Sequence, residues 1–141
     1  LPRYKHLAPI GRLDADSEGL ILLSNDGTLT KALTKIDSNI GKTYLVTVQE
    51  QLVERSLSEM AKGVKLDGIM TKPAVVRKVS NHEFTIVLHE GRKHQIRRMS
   101  AHFKWTVTSL IRIGIGTLAL GHMRPMETRS LNQNDILKLK S

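Results

Sequence analysis

The chain has 141 residues and no cysteine, and its 22 Lys and Arg exceed its 13 Asp and Glu, giving a net charge of +9. This length predicts one domain with its own core. The lack of cysteine excludes disulfides, thiolate zinc sites and cysteine nucleophiles, and suits a cytoplasmic location. The charge favours a polyanionic partner, nucleic acid before an anionic membrane. No apolar run is long enough to predict a membrane span.

After an approach strand or loop over residues 1–10, a loop over residues 11–19 carries Asp14, and the apolar run 20–23 predicts a buried strand behind it. Functional carboxylates often lie on loops braced in this way. Two alternatives are an Asp that only forms a turn and a metal site. The acidic spacing resembles the start of a calcium loop, but Asn25 stands where such a loop needs a bidentate Glu.

The other elements follow from hydrophobic periodicity. Helices are predicted over 27–35, 53–63, 93–103 and 133–140, strands over 42–49, 74–79, 83–90 and 106–113, a loop over 37–41 and turns over 66–73. Asp26 is the predicted cap of the first helix, and Asn81-His82 is the predicted hairpin turn. Helices and strands interleave and no linker divides the chain. The pattern therefore predicts one α+β domain on a mixed, mainly antiparallel sheet.

Basic residues concentrate just before and within the third predicted helix, at Arg92, Lys93, His94, Arg97 and Arg98. Helical spacing places the last three on a flank away from the apolar stripe. An Arg at a helix N-terminus suits a phosphate, and an Arg near Asp14 would hold that carboxylate ionised. Spacing leaves Arg97 and Arg98 equally eligible for this pairing. The alternative is a solvated basic face.

Three ordered segments resemble the motifs of the pseudouridine synthases that modify ribosomal RNA. They are Gly11-Arg12-Leu13-Asp14 with its continuation to Gly27, Lys42-Thr43-Tyr44-Leu45-Val46, and Glu90-Gly91-Arg92-Lys93-His94-Gln95-Ile96-Arg97-Arg98-Met99. The segment from Leu110 to Arg124 resembles the family's closing segment. The resemblance covers nearly the whole chain.

The resemblance implies a role for each matched position. Asp14 would be the nucleophile, attacking the uracil ring or the anomeric carbon of the target uridine, and Arg97 would pair with it. Tyr44 would pack on the base and take part in later proton removal, although strand alternation alone makes it a core residue. Roles in RNA binding, or positions flanking the site, are implied for Arg12, Arg92, Lys93, His94, Gln95 and Arg98.

The resemblance further implies a catalytic domain over 1–141 that is truncated at its N-terminus and lacks a separate RNA-binding domain. Its reaction would convert a uridine of ribosomal RNA to pseudouridine, with no cofactor, no metal and no membrane. A monomer is expected because the sequence shows no continuous apolar stripe that would pack against a partner. Two rival hypotheses are a non-catalytic basic RNA-binding fragment and a metal-dependent phosphoesterase that uses Asp14, Asp16 and Glu18.

Overall fold

The structure, a computed structural model, describes residues 5–34 and 40–140, except the side chain of residue 140. Its elements in chain order are β1 Ala8–Ile10, β2 Glu18–Gly19, β3 Leu22–Ser24, α1 Gly27–Thr34, β4 Lys42–Val48, α2 Glu54–Lys62, β5 Lys65–Leu66, β6 Ile69–Met70, β7 Val75–Lys78, β8 Glu83–Leu88, α3 Gln95–His102, β9 Val107–Ile115, β10 Leu118–Ala119 and α4 Gln133–Lys140.

The main sheet has the strand order β10-β9-β4-β8-β7, and β2 also pairs with β9. All its pairings are antiparallel except that of β2, which runs parallel to β9. The central strand β4 places Tyr44 opposite Ile86 of β8 and opposite Arg112 of β9. The predicted α+β class and mainly antiparallel sheet are confirmed.

Two separate apolar clusters form the core. The larger joins the sheet to α2 and α3, with Phe84, Met60 and Met99 fully buried at its centre. The smaller joins β1, β3, α1 and α4 to the end of β9, and it includes Leu33 and Leu139. Because side chains of both clusters line one cleft, the cleft lies between the two cores.

Local sequence signals explain several element ends. Asp26 caps α1 as predicted, since its Oδ1 accepts hydrogen bonds from the N–H groups of Thr28 at 3.0 Å and Leu29 at 3.3 Å. Gly63 ends α2 with a φ of 117°, a backbone conformation that favours glycine. The end of the first predicted helix and most of the loop predicted over 37–41 fall in 35–39, outside the described residues.

Two local predictions are wrong and a third is incomplete. The run 20–23 is not a buried strand, because β3 begins only at Leu22 and both Ile21 and Leu23 are exposed. The turn-rich stretch 66–73 contains part of the β5–β6 hairpin. Helix α3 begins at Gln95 instead of residue 93, because His94 has a left-handed backbone with φ 50°. No helix in the described ranges is long and apolar enough to cross a membrane.

Candidate active site

The cleft between the two cores has a volume of about 810 Å³, in the range of small-molecule and cofactor sites. Strands β4 and β9 form its floor, and the loop after β1 and the segment between β8 and α3 form its walls. Six Lys and Arg line the cleft against two carboxylates. These cations are Arg12, Lys42, Arg92, Lys93, Arg97 and Arg112. The cleft therefore suits an anionic ligand.

Asp14 lies in a tight turn on one wall of the cleft. Its carbonyl accepts a hydrogen bond from the N–H of Ser17 at 2.9 Å. Its carboxylate is 41% exposed and accepts no hydrogen bond from any described residue. The main chain therefore forms the turn while the carboxylate stays available to a ligand.

His94 is the side chain of the opposite wall that approaches Asp14. Its Nε2 lies 3.9 Å from Oδ1 of Asp14, and its side chain is 51% exposed. The left-handed backbone that delays the start of α3 also sets the position of this ring. A non-glycine residue with positive φ is uncommon and often occurs at functional sites.

Arg97 does not pair with Asp14, which corrects the role implied by the resemblance. Its Nε lies 2.9 Å from Oδ2 of Asp16, and its terminal N–H groups donate to the carbonyls of Asp16 at 3.2 Å and Val107 at 3.3 Å. The reason is the Asp14 turn, which presents Asp16 to α3 and leaves Asp14 facing His94. Arg97 therefore fastens the loop to the helix.

Arg92 and Gln95 line the cleft, but their polar groups are engaged within the protein. The guanidinium of Arg92 donates to the carbonyls of Leu66 at 2.6 Å and Ile69 at 3.0 Å, which holds the β5–β6 hairpin. Gln95 is 4% exposed; it accepts from the N–H of Arg92 and donates to Glu90. Both residues therefore shape this wall.

The other predicted flanking cations differ in where they lie. Arg12 and Lys93 are exposed and line the cleft, so they form its rim. Arg98 lies outside the cleft lining and forms an ion pair with Asp67 of the β5–β6 turn. Of these three cations, Arg12 and Lys93 are therefore the ones placed to meet a ligand.

Tyr44 lies where the larger core meets the cleft. It packs against the larger core, as strand alternation requires, and it also lines the cleft. It is half-buried and stands opposite Arg112 in the β4–β9 register. An aromatic side chain that lines the same cleft as Asp14 is suited to stacking with a flat ligand.

Sequence analysis missed Lys42 and Arg112, the two cations on the floor. Arg112 is 3% exposed, and its Nε donates to the carbonyl of Leu20 at 2.8 Å. Burial, and then the nearby charge of Arg112, lower the pKa of Lys42. The available signal was a charged residue within the apolar run 110–115, which is uncommon in a buried strand.

The acidic residues of the Asp14 loop do not converge. In residues 5–34 and 40–140, no three His, Asp or Glu side chains come close enough to hold a metal ion together. Asp16 faces Arg97, and Glu18 is exposed at the start of β2. This arrangement gives no support to a site made of Asp14, Asp16 and Glu18.

Comparison with known proteins gives consistent similarities. The profile of the RNA pseudouridylate synthase family matches residues 1–102. The chain is 36% identical over 135 residues to an uncharacterized RNA pseudouridine synthase of Aquifex aeolicus, covering 93% of this chain and 54% of that protein. It is 38% identical over 135 residues to the dual-specificity RNA pseudouridine synthase RluF of Escherichia coli, covering 96% and 47%.

A solved structure described as a pseudouridylate synthase superposes with a TM-score of 0.90 at 36% identity, covering 95% of this chain and 60% of that one. The fold and the site thus define an α+β domain with a basic cleft around one available carboxylate. The chain belongs to the RNA pseudouridylate synthase family, as the motifs predict. It spans about half the length of the curated relatives it matches.

Proposed function

We propose that the protein converts a uridine of ribosomal RNA to pseudouridine, with Asp14 as the nucleophile acting on a base flipped out of the RNA. The observation that carries this proposal is the Asp14 carboxylate, which accepts no hydrogen bond from the described residues and lies in a cleft lined by cations. The names of the relatives support a pseudouridine synthase activity.

The reaction is internally balanced. The bond between C1′ of the ribose and N1 of uracil breaks, a bond between C1′ and C5 forms, C5 loses its proton, and N1 gains one. Asp14 would add to the ring or to C1′ and leave at the end, so it acts as a covalent nucleophile. No electron acceptor or group donor is needed. Chemistry of this kind requires only nucleophilic and proton-transfer groups at the site.

The distribution of cations supports binding of a flipped nucleotide. Arg12 and Lys93 on the rim are placed for the phosphates beside the target, which stay outside when the base enters. Tyr44 on the floor would stack on the base and take part in removing the C5 proton. His94, 3.9 Å from Asp14, would orient the carboxylate. Arg97 would hold the Asp14 loop through Asp16.

The test is release of tritium from ribosomal RNA labelled at C5 of uracil, measured with the full-length protein. We expect release by the parent, no release by Asp14→Asn, and no effect of a chelator. The matched control is Asp67→Asn, which makes the same charge change outside the cleft lining. Loss of RNA binding in Asp14→Asn would make the comparison uninformative about chemistry, so affinity is measured in parallel.

Three results would overturn the proposal. Full release by Asp14→Asn would exclude a nucleophilic Asp14, and RNA binding without release by the parent would favour a non-catalytic RNA-binding protein. Release that the chelator abolishes would instead favour metal-dependent chemistry. The three outcomes are separated because rate, affinity and metal dependence are measured on the same preparation.

A further inference from the structure

The floor of the cleft holds two cations that the roles above do not use. Lys42 of β4 and Arg112 of β9 line the cleft with Tyr44, which stands opposite Arg112 in the strand register. No carboxylate of the described residues forms an ion pair with either of them. The floor therefore carries positive charge without a partner in the described chain.

Arg112 is fixed in place with part of its guanidinium unused. Its main chain is clamped against β2, because its carbonyl accepts the N–H of Leu20 at 2.8 Å while its Nε donates to the carbonyl of Leu20. Its Nη2 is buried and has no hydrogen-bond partner among the described residues. A buried donor on a charged group is costly when unpaired, so the charge of Arg112 is left uncompensated beneath the cleft.

The charge of Lys42 is also unfavourable in the free protein. Burial lowers its pKa and the charge of Arg112 lowers it further, so the two cations destabilise each other in the free protein. A ligand atom with negative charge would relieve both effects. The floor is thus built for an acceptor that carries, or acquires, negative charge.

Position within the cleft decides which part of an RNA reaches this floor. The exposed cations Arg12 and Lys93 lie at the rim, whereas Arg112 is 3% exposed. A base inserted into a pocket leads with its ring and leaves its phosphates at the opening. The floor therefore faces the base, beside the ring of Tyr44.

The chemistry of uracil supplies the charge. If Asp14 adds to C6, the electron pair of the C5–C6 double bond moves toward the C4 carbonyl, and its oxygen becomes anionic. If Asp14 attacks C1′, the electron pair of the C1′–N1 bond stays on the departing base, and the charge spreads over N1 and both carbonyl oxygens. Either route places negative charge on a carbonyl oxygen of the base.

We infer that Lys42 binds a carbonyl oxygen of the target uracil, and that Lys42 and Arg112 together stabilise the negative charge that this oxygen acquires during the reaction. The inference rests on the proposed function and adds a pair of charge-stabilising residues to it. Both cations keep their protons throughout, so the electron and proton balance of the isomerisation is unchanged. Donors of this kind act only where charge develops, and therefore raise the rate more than the affinity.

The first test separates rate from affinity in the full-length protein. Lys42→Met should lower the single-turnover rate at saturating RNA by about 100-fold, as loss of one charge-stabilising donor does in other enzymes. Its RNA dissociation constant and the salt dependence of binding should match the parent. The control Lys78→Met removes a charge from exposed β7 and should leave rate and affinity unchanged.

A contact to phosphate would give the opposite result, because each lost phosphate contact lowers the slope of log K against log salt by about 0.9. A weaker salt dependence with an unchanged rate in Lys42→Met would therefore overturn the inference. Arg112→Lys keeps a positive charge at this position and serves as the conservative variant. It should lose less rate than Arg112→Met, provided that circular dichroism shows both variants folded.

A second test does not depend on activity. The probe is 5-nitrouracil, a uracil whose ring is largely ionised at neutral pH and whose absorbance reports binding. The parent and Asp14→Asn should bind it, whereas Lys42→Met should bind it at least tenfold more weakly. Absence of saturable binding by the parent would overturn the inference, even if isomerisation is observed. Binding without isomerisation would instead leave the charge pair supported and the proposed function rejected.

Discussion

Arg97 and Asp16 lie 81 positions apart in the chain and form an ion pair, with Nε of Arg97 2.9 Å from Oδ2 of Asp16. The pair joins the first turn of α3 to the loop that carries Asp14, and the same guanidinium also holds the carbonyl of Asp16. The Asp14 loop is thereby held through Asp16, two residues further along the chain. The carboxylate of Asp14 itself is left to His94 and a ligand.

Asp16→Asn should lower turnover by about tenfold without abolishing it. The ion pair is lost, but Arg97 keeps its hydrogen bonds to the carbonyls of Asp16 and Val107, so the loop stays docked less firmly. A tenfold loss corresponds to about 1.4 kcal/mol in the barrier. The measurement is tritium release beside Asp14→Asn. If Asp16→Asn is as inactive as Asp14→Asn, the assignment of the nucleophile to Asp14 alone is contradicted.

Local signals were sufficient for much of the fold. The cap at Asp26, the helical spacing in α2 and the alternation in β4 each depend on a few adjacent side chains, and the corresponding elements are present. Helix α4 also has its predicted bounds. In these places the residues that determine the element lie within it.

Tertiary contacts account for what sequence patterns missed. The β5–β6 hairpin is short and is held by the side chain of Arg92, which lies more than 20 positions away. The Arg97–Asp16 pair joins positions 81 apart, and helical spacing could not choose its acidic partner. Lys42 and Arg112 converge only because β4 pairs with β9. Each of these depends on packing across the fold.

Gln95→Leu should destabilise the protein by about 1 to 3 kcal/mol. The amide of Gln95 accepts the N–H of Arg92 at 3.0 Å and donates to Oε2 of Glu90 at 3.0 Å, and Leu would leave both groups without this partner. Urea denaturation measures the change. The control Gln51→Leu alters an exposed amide and should stay within about 0.5 kcal/mol of the parent. An unchanged midpoint for Gln95→Leu would show that the amide has no structural role.

Gly19→Ala should destabilise the protein by about 2 to 4 kcal/mol. A Cβ at Gly19 would lie 2.3 Å from the carbonyl oxygen of Arg112, and the φ of +122° is unfavourable for alanine. Gly68→Ala is the matched control, because Gly68 also has a positive φ of +80° but no atom within 4 Å of a Cβ. Equal losses in the two variants would mean that backbone strain alone is responsible and that the approach of β2 to β9 contributes nothing.

Glu50→Gln should reduce stability in a pH-dependent way. The pKa of Glu50 is lowered chiefly by the N–H of Thr106, which donates to its carboxylate at 2.6 Å. A carboxyl whose pKa in the folded protein is below its ordinary value of 4.5 stabilises the fold at any pH above 4.5. That contribution is lost as the pH falls through the pKa of the folded protein. The melting temperature of Glu50→Gln should therefore lie below the parent's at pH 7 and approach it as the pH falls toward 3. The control Glu127→Gln changes an exposed Glu and should melt with the parent at pH 7.

Lys42→Met should raise the melting temperature at pH 7 although it lowers activity. Burial and then the charge of Arg112 lower the pKa of Lys42, so the charged form is less favourable in the folded chain than in the unfolded one. This destabilisation has its full size when the pH is below the pKa of Lys42 in the folded protein. It disappears as the pH rises toward the ordinary pKa of 10.5. We expect a rise of about 1 to 3 °C at pH 7, which narrows at alkaline pH.

Differential scanning calorimetry of the parent, Lys42→Met and the exposed control Lys78→Met measures this difference. Lys78→Met should melt with the parent, because its side chain is exposed on the edge strand β7. Ionised 5-nitrouracil should stabilise the parent and not Lys42→Met, since the ligand oxygen replaces the missing counter-charge. A lower melting temperature for Lys42→Met would mean that the free protein already compensates this charge, and would remove the reason for the floor to bind an anionic base.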